Sequence, residues 1–280
     1  MKNFRPSILL LTGNPSSRVP LVEFANNITK NLSLLLVGHI IKQKLPYKMR
    51  IKSIESQNDW LIKNNIKGFY LLTKANSLHE GVQNMIELSG LGRLKCNVLM
   101  IGYKSSWQDC LEHDLLDYFK IIHTALDMHL GLCILRIGEG LDYADFFETM
   151  ECGHNDVQIV IDGVDRKPSS PNVLDKIDES EVDSRKTSET SLKIYSNLDI
   201  EKQSKQNTKP QIPVDALFAM KQFSRKQSEG YIDVWWISDD GGLTLLIPYI
   251  LNNNSLWKRN QLRIFSIAKS PDEIETTHSR

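Results

Sequence analysis

SILLLTGNPSSRVPLVEFANNI, residues 7 to 28, decides the fold. Its first five residues form a short apolar run that ends at Gly13 and Pro15. From Pro20 the apolar positions change period: Leu21, Phe24, Ala25 and Ile28 recur at i, i+3, i+4 and i+7, which is one face of a helix. Proline suits a first helical turn, because the N–H it lacks would have no partner there. Strand, turn and helix in this order make a βα unit, and the same order recurs down the chain. Ser7 to Leu11, Ser33 to Val37, Phe69 to Leu72, Asn97 to Tyr103, Gly131 to Ile137 and Val157 to Ile161 read as six strands, mostly continuous apolar runs. Ser77 opens a second helix. Its hydroxyl can accept an orphan backbone N–H while Glu80 reaches back, and Leu78, Val82, Met85 and Ile86 form the apolar face before Gly90 and Gly92 end it. A third helix begins near Asp114, carries Leu115, Phe119, Ile122 and Leu126, and stops near Gly131. The expected class is α/β, a mostly parallel sheet with helices on both faces.

Three regions follow. Residues 1–162 read as a first α/β subdomain and 163–213 as a linker. That linker holds 11 Ser or Thr, 9 acidic and 9 basic residues, four prolines and one aromatic, too little apolar surface to offset the entropy of ordering. Residues 214–280 read as a partial second subdomain: a strand in IDVWWIS (232–238), the turn DDGG (239–242), an apolar helix from Leu243 to Leu251 and a strand in QLRIFSIA (261–268). A single βαβ unit is small for a core of its own, so it is expected to dock on the first subdomain and extend its sheet. Trp235 and Trp236 point to opposite faces of their strand and suit burial on both sides.

The 280 residues carry 34 Lys+Arg against 34 Asp+Glu, a formal net charge of zero that disfavours nucleic acid as a partner. LSLLLVGHII (32–41) and LTLLIPYIL (243–251) fall short of the roughly 20 apolar residues that span a bilayer. The N-terminus lacks the small-residue cleavage site of a secretory signal, so the chain reads as cytosolic. Cys96, Cys110, Cys133 and Cys152 form no CxxC pair and read as buried thiols.

Chemistry is sparse. The turn at Gly13, Asn14 and Ser16 stands at the carboxyl end of the first strand, where open α/β sheets bind ligands, and Lys104 follows the fourth strand. These four residues are the candidate nucleotide site, although neither GxGxxG nor GxxxxGK[ST] is present. Asp239 and Asp240 could hold magnesium or act as acid and base. Without a partnering Lys, Ser or His at readable spacing they suit better the start of the next helix, where carboxylates accept orphan N–H groups. His113, His123 and His129 share no helical face, and GxSxG and HExxH are absent, so the chain reads as non-enzymatic. Arg185 precedes Ser188, and Arg225 precedes Ser228, at the spacing a basophilic kinase uses, which makes the two serines candidate phosphosites.

Longer blocks carry a family resemblance. LLLTGNP (9–15), TKNLSLLLVGHI (29–40), GVQNMIELSGLGRLKCNVLMIGYKSSW (81–107), DYFKIIHTALDMHLGLCILRIGEGLD (117–142) and IDVWWISDDGGLTLLIPYIL (232–251) occur in the order seen in the cation-chloride cotransporters. The sequence resembles the C-terminal cytoplasmic domain of that family, and the last block is similar to its sodium-dependent, sodium-potassium-chloride branch. The resemblance implies a universal-stress-protein-like fold and a homodimer formed through the α/β domain. It also implies regulation of the transmembrane domain of a parent transporter at the cytoplasmic face of the plasma membrane, with kinases as partners. Related domains bind nucleotide, so ATP is the cofactor it implies. The family's ion-carrying bundle has no counterpart here, and the second subdomain reads as truncated. The alternative is a soluble, universal-stress-protein-like nucleotide-binding protein.

Overall fold

The apolar runs pair as strands because each is bracketed by a helix that must bury one stripe on a sheet face. The computed structural model describes residues 4–90, 92–138, 140–143, 214–237 and 242–267. Strands β1 (Ile8–Leu11), β2 (Leu35–Ile41), β3 (Phe69–Lys74), β4 (Val98–Gly102) and β5 (Gly131–Leu135) form one sheet in the order β3-β2-β1-β4-β5. Every pairing is parallel. Alternate residues feed two cores. Ile8, Leu10, Val37, Val98 and Met100 face helices α1 (Val19–Thr29) and α2 (Tyr47–Lys63). Leu9, Leu99 and Ile101 face α3 (Leu78–Leu88) and α4 (Glu112–Asp127). The expected class is therefore observed, with the strand at Val157 to Ile161 lying outside the described residues.

Local signals account for the helix ends. The Ser77 side chain accepts the Glu80 N–H at 3.1 Å, and the Glu80 carboxylate accepts the Asn76 N–H at 3.0 Å, which together start α3. Gly90 ends that helix region at φ 84°, where a Cβ would stand 2.3 Å from the Leu94 carbonyl oxygen. Helix α2 has no side-chain cap and buries only Leu61 fully, so the sequence carries little periodic signal for it. Its polar residues serve the sheet edge instead. Asn58 accepts the Tyr70 N–H at 3.2 Å and Arg50 donates to the Leu72 carbonyl at 3.2 Å, which satisfies backbone groups of edge strand β3.

The chain divides into two compact units, Met1–Glu148 with Ile212–Arg280, and Thr149–Gln211; the described residues all belong to the first. Within it, α5 (Val214–Met220), β6 (Tyr231–Trp236), α6 (Leu243–Asn253) and β7 (Gln261–Ser266) follow in order. Docking is as expected, since Ile247 and Leu251 of α6 join the α1 core. Sheet extension is not: β6 and β7 pair in parallel with each other in a separate two-stranded sheet. Nor is β6 covered on both faces. Trp235 is 63 % exposed and stacks on Phe265 at 4.6 Å, while Val234, just before the two tryptophans, is buried.

What holds the second segment is an aromatic clamp on α1. The Phe223 ring lies edge-on to Phe24 at 5.2 Å and stacks on Trp257 at 5.9 Å. Asn27 donates to the Phe223 carbonyl and Asn254 donates to the Asn27 carbonyl, each at 2.9 Å. Replacing Phe223 by Ala is expected to lower stability by about 2–3 kcal/mol, somewhat less than for a fully buried phenylalanine. Urea denaturation followed by tryptophan fluorescence checks this; an unchanged midpoint would show that the clamp carries no weight.

Candidate functional site

The strand order reverses between β1 and β4, since β1 leads by α1 to β2 on one side while β4 lies on the other. The carboxyl ends of these strands frame the crevice where such sheets hold ligands. Gly13 takes φ 70° there, a left-handed conformation that glycine adopts without strain. Asn14 caps a short 3-10 turn, Pro15–Arg18, and its side-chain oxygen accepts both the Ser16 N–H at 3.3 Å and the Ser16 hydroxyl at 2.9 Å. The Ser17 N–H donates to the Asn14 carbonyl at 3.2 Å. The Ser16 and Ser17 donors are thus engaged within the turn.

A strap made by the chain itself crosses the crevice. Arg18 pairs with Asp142 at 2.9 Å, and the Tyr143 N–H donates to the Ser17 carbonyl at 2.9 Å. Leu141 lies so close over β4 that a Cβ on Gly102 would come within 2.9 Å of its methyl. Two of the turn's amides, Ser16 and Ser17, are used inside it, and the neighbouring Arg18 is paired with Asp142. Lys104 belongs elsewhere. It lines an apolar hollow of about 350 Å³ with Trp107, Tyr118, Phe119, Ile122 and Ile134, and none of Gly13, Asn14 or Ser16 takes part in its walls.

The remaining sequence candidates separate in the same way. Ser188, Asp239, Asp240 and Cys152 lie outside the described residues. Ser228 is exposed between Phe223 and β6, but Arg225, three residues before it, packs over the Phe218 ring at 4.3 Å. Cys96 and Cys133 have their thiols pushed up to about 11 by burial, which leaves them unreactive near neutral pH. Cys133 is nevertheless only partly buried by surface area, and Cys110 likewise. His113 stands exposed beside Asp114 at 3.3 Å. Among the described residues no cluster of three or more His, Cys, Asp or Glu could hold a metal.

Three polar features escape the sequence reading. His39 on β2 meets the Tyr70 hydroxyl on β3 at 2.7 Å, and burial, then the positive charge of Arg18, lowers its pKa. His79 on α3 meets the Thr124 hydroxyl on α4 at 2.8 Å and ties the two helices together. The third is Glu23, the one charged residue in α1. Its Oε2 is buried and makes no hydrogen bond among the described residues. Burial pushes this carboxyl up to about 7, against the pull of Lys221, Ser224 and Arg225 from the docked segment. The local signal was available: Glu23, Asn26 and Asn27 make a polar stripe at i, i+3 and i+4 beside the apolar one.

Because the folded-state value lies above the ordinary 4.5, the folded chain binds more protons than the unfolded chain between those values. Stability from this group is therefore full at pH 4.5 and below, and falls as pH rises towards 7. Glu23→Gln is expected to flatten that part of the profile and to be the more stable protein above neutrality. Thermal midpoints across the range check it; a wild-type slope retained in the variant would contradict the assignment.

The comparisons with known proteins agree in one direction. The family model Solute carrier family 12 matches residues 18–280. The chain is 34 % identical to mouse Solute carrier family 12 member 2 over 282 aligned residues, covering 95 % of this chain and 23 % of that protein. It is 33 % identical to the bumetanide-sensitive sodium-(potassium)-chloride cotransporter of Manduca sexta, covering 98 % and 29 %. Human Solute carrier family 12 member 1 is 35 % identical, at 95 % and 24 %. The chain thus spans about a quarter of the length of these relatives. A crystal structure of a universal stress protein in complex with cAMP aligns at TM-score 0.33 and 15 % identity, covering 47 % of this chain and 97 % of that one. At that score the architecture rests on the sheet order itself. No helix among the described residues is long and apolar enough to cross a membrane. Matched along nearly its whole length, the chain belongs to solute carrier family 12, the cation-chloride cotransporters, in the sodium-potassium-chloride branch.

Proposed function

We propose that this chain is a regulatory and dimerisation portion of a sodium-potassium-chloride-type symporter, working at the cytoplasmic face of the plasma membrane and not as an enzyme. The observation that carries the reading is the identity of about a third sustained over 95 % of the chain, against relatives of which it spans only about a quarter. Its partners on this reading are the transmembrane part of the transporter, a second copy of the chain, and kinases that modify Ser or Thr within 163–213. Putting this chain in place of the matching stretch of the mouse relative is expected to keep ion flux at the cell surface, whereas deleting the stretch abolishes it. A chimera that reaches the surface without flux would overturn the reading.

Self-association has a plausible surface in the first α/β layer. Edge strand β3 is served by α2, whereas among the described residues no strand pairs with the outer side of β5. Beside it, Trp107, Leu116, Phe119 and Leu126 on or before α4, with Ile134 on β5, are all at least 41 % exposed. An apolar patch next to an open edge suits an isologous contact. Light scattering at tens of micromolar is expected to give twice the chain mass, and Phe119→Glu to give the monomer with unchanged thermal stability. A wild-type monomer would remove the dimerisation part of the proposal.

A further inference from the structure

A second hollow lies at the opposite edge of the sheet from the strap. It holds about 1080 Å³ and opens between the amino ends of the strands, the last turn of α1 and the outer side of α6. Its size is at the upper end of the roughly 300–1,000 Å³ of small-molecule clefts.

Helix α6 explains the apolar wall. Its 11 residues, LTLLIPYILNN, contain no charge. Ile247 and Leu251, one turn apart, enter the core. Leu246, Tyr249 and Ile250, at i, i+3 and i+4, line the hollow instead, together with Leu262 and Ile264 of β7. A helix that is apolar on every side is normally covered on every side, yet Tyr249 is 59 % and Ile264 54 % exposed. Over its length the helix offers a strip of roughly 16 Å.

The facing wall is cationic. Arg5, before β1, and Lys30, after α1, both line the hollow, and no Asp or Glu does so among the described residues. Lys30 donates to the Asn65 carbonyl at 3.3 Å and has no carboxylate partner among them; the Arg5 guanidinium donates to the Phe4 carbonyl at 3.2 Å. Lys30 also stands at the C-terminal end of α1, where the helix dipole favours a cation, so the attraction for an anion depends on Arg5 as much as on Lys30. The amides around the rim offer little to a peptide backbone, because the NH2 groups of Asn27, Asn253 and Asn254 already donate to carbonyls of the chain.

We propose that this hollow binds a single-chain lipid carboxylate, its head group between Arg5 and Lys30 and its tail along Leu246, Tyr249 and Ile250. Two positive groups with no carboxylate beside them among the described residues, set against one uncharged helix, complement an anionic amphiphile better than a neutral lipid or a polypeptide.

The test uses the full chain and 11-(dansylamino)undecanoic acid as fluorescent probe, with competitors kept below their micelle concentrations. Saturable binding of one probe per chain is expected. Dodecanoate should displace it and dodecanol should compete at least about tenfold more weakly, a factor of ten being what the loss of one charged contact brings. Arg5→Gln combined with Lys30→Gln, and separately Tyr249→Glu, should each weaken the probe at least about tenfold. Both variants change exposed or half-exposed groups and should keep the wild-type thermal midpoint. Non-saturable binding, equal competition by dodecanol, or variants that bind as the wild type does would overturn the proposal. So would binding to phosphatidylserine vesicles or to an acidic peptide with no response to dodecanoate.

Discussion

The burial of α1 on all sides is the constraint on which the rest of the structure depends. One side of this helix places Leu21, Val22, Ala25 and Ile28 on the sheet, every one of them fully buried. The other carries Glu23, Phe24 and Asn27 against the segment from Lys221 to Trp257. A helix with solvent on one face would carry several charges there; α1 carries one, and that carboxyl is held up by burial. The side that faces the docked segment is polar with Glu23 as its single charged residue, so its hydrogen bonds must be supplied by specific partners. Asn26 accepts the Lys67 N–H, while Asn27 donates to the carbonyl of Phe223. Direction in those bonds fixes where the second segment sits, and apolar burial of Ile247 and Leu251 supplies much of the driving force.

That common wall also explains the two hollows and the strap. At the carboxyl edge the chain uses its own residues 141–143 to close the crevice over β1 and β4. At the amino edge α6 leans on α1 through two residues and leaves its other apolar side open beside Arg5 and Lys30. A doubly wound sheet is expected to offer its ligand site at the first of these edges. In this chain the hollow of about 1080 Å³ is at the second. Fold alone does not assign function; sequence identity along the chain shows the family.

The parallel sheet was legible in the sequence because strands buried on both faces are written as continuous apolar runs, and five of them stand where the runs lie. The capping box at Ser77 and the exit at Gly90 were legible too, since each is a local requirement of the backbone. Helix α2 was not, because it buries only Leu61 and spends Asn58 and Arg50 on the edge of β3, a task that leaves no period. The pairing of β6 with β7 alone could not be read either, as nothing local to Tyr231–Trp236 states which strands lie beside it. For the site, the Gly13 turn was correctly placed at the strand end, but its closure depends on Arg18 and Asp142, 124 residues apart. Lys104 follows the adjacent strand yet lines another hollow, a difference decided by α4 packing and not by the order of residues. The meaning of the Glu23, Asn26 and Asn27 stripe appears only when the docked segment is seen on it.

Native-state hydrogen exchange tests the central claim most directly, namely that α1 is a wall shared by both parts of the unit. If it is, the amides of Leu21 to Thr29 exchange only through global unfolding, with the same denaturant dependence as those of β1 and β4. If instead α1 opens together with α6 at lower denaturant while β1 and β4 stay protected, the helix belongs to the docked segment alone and the account fails.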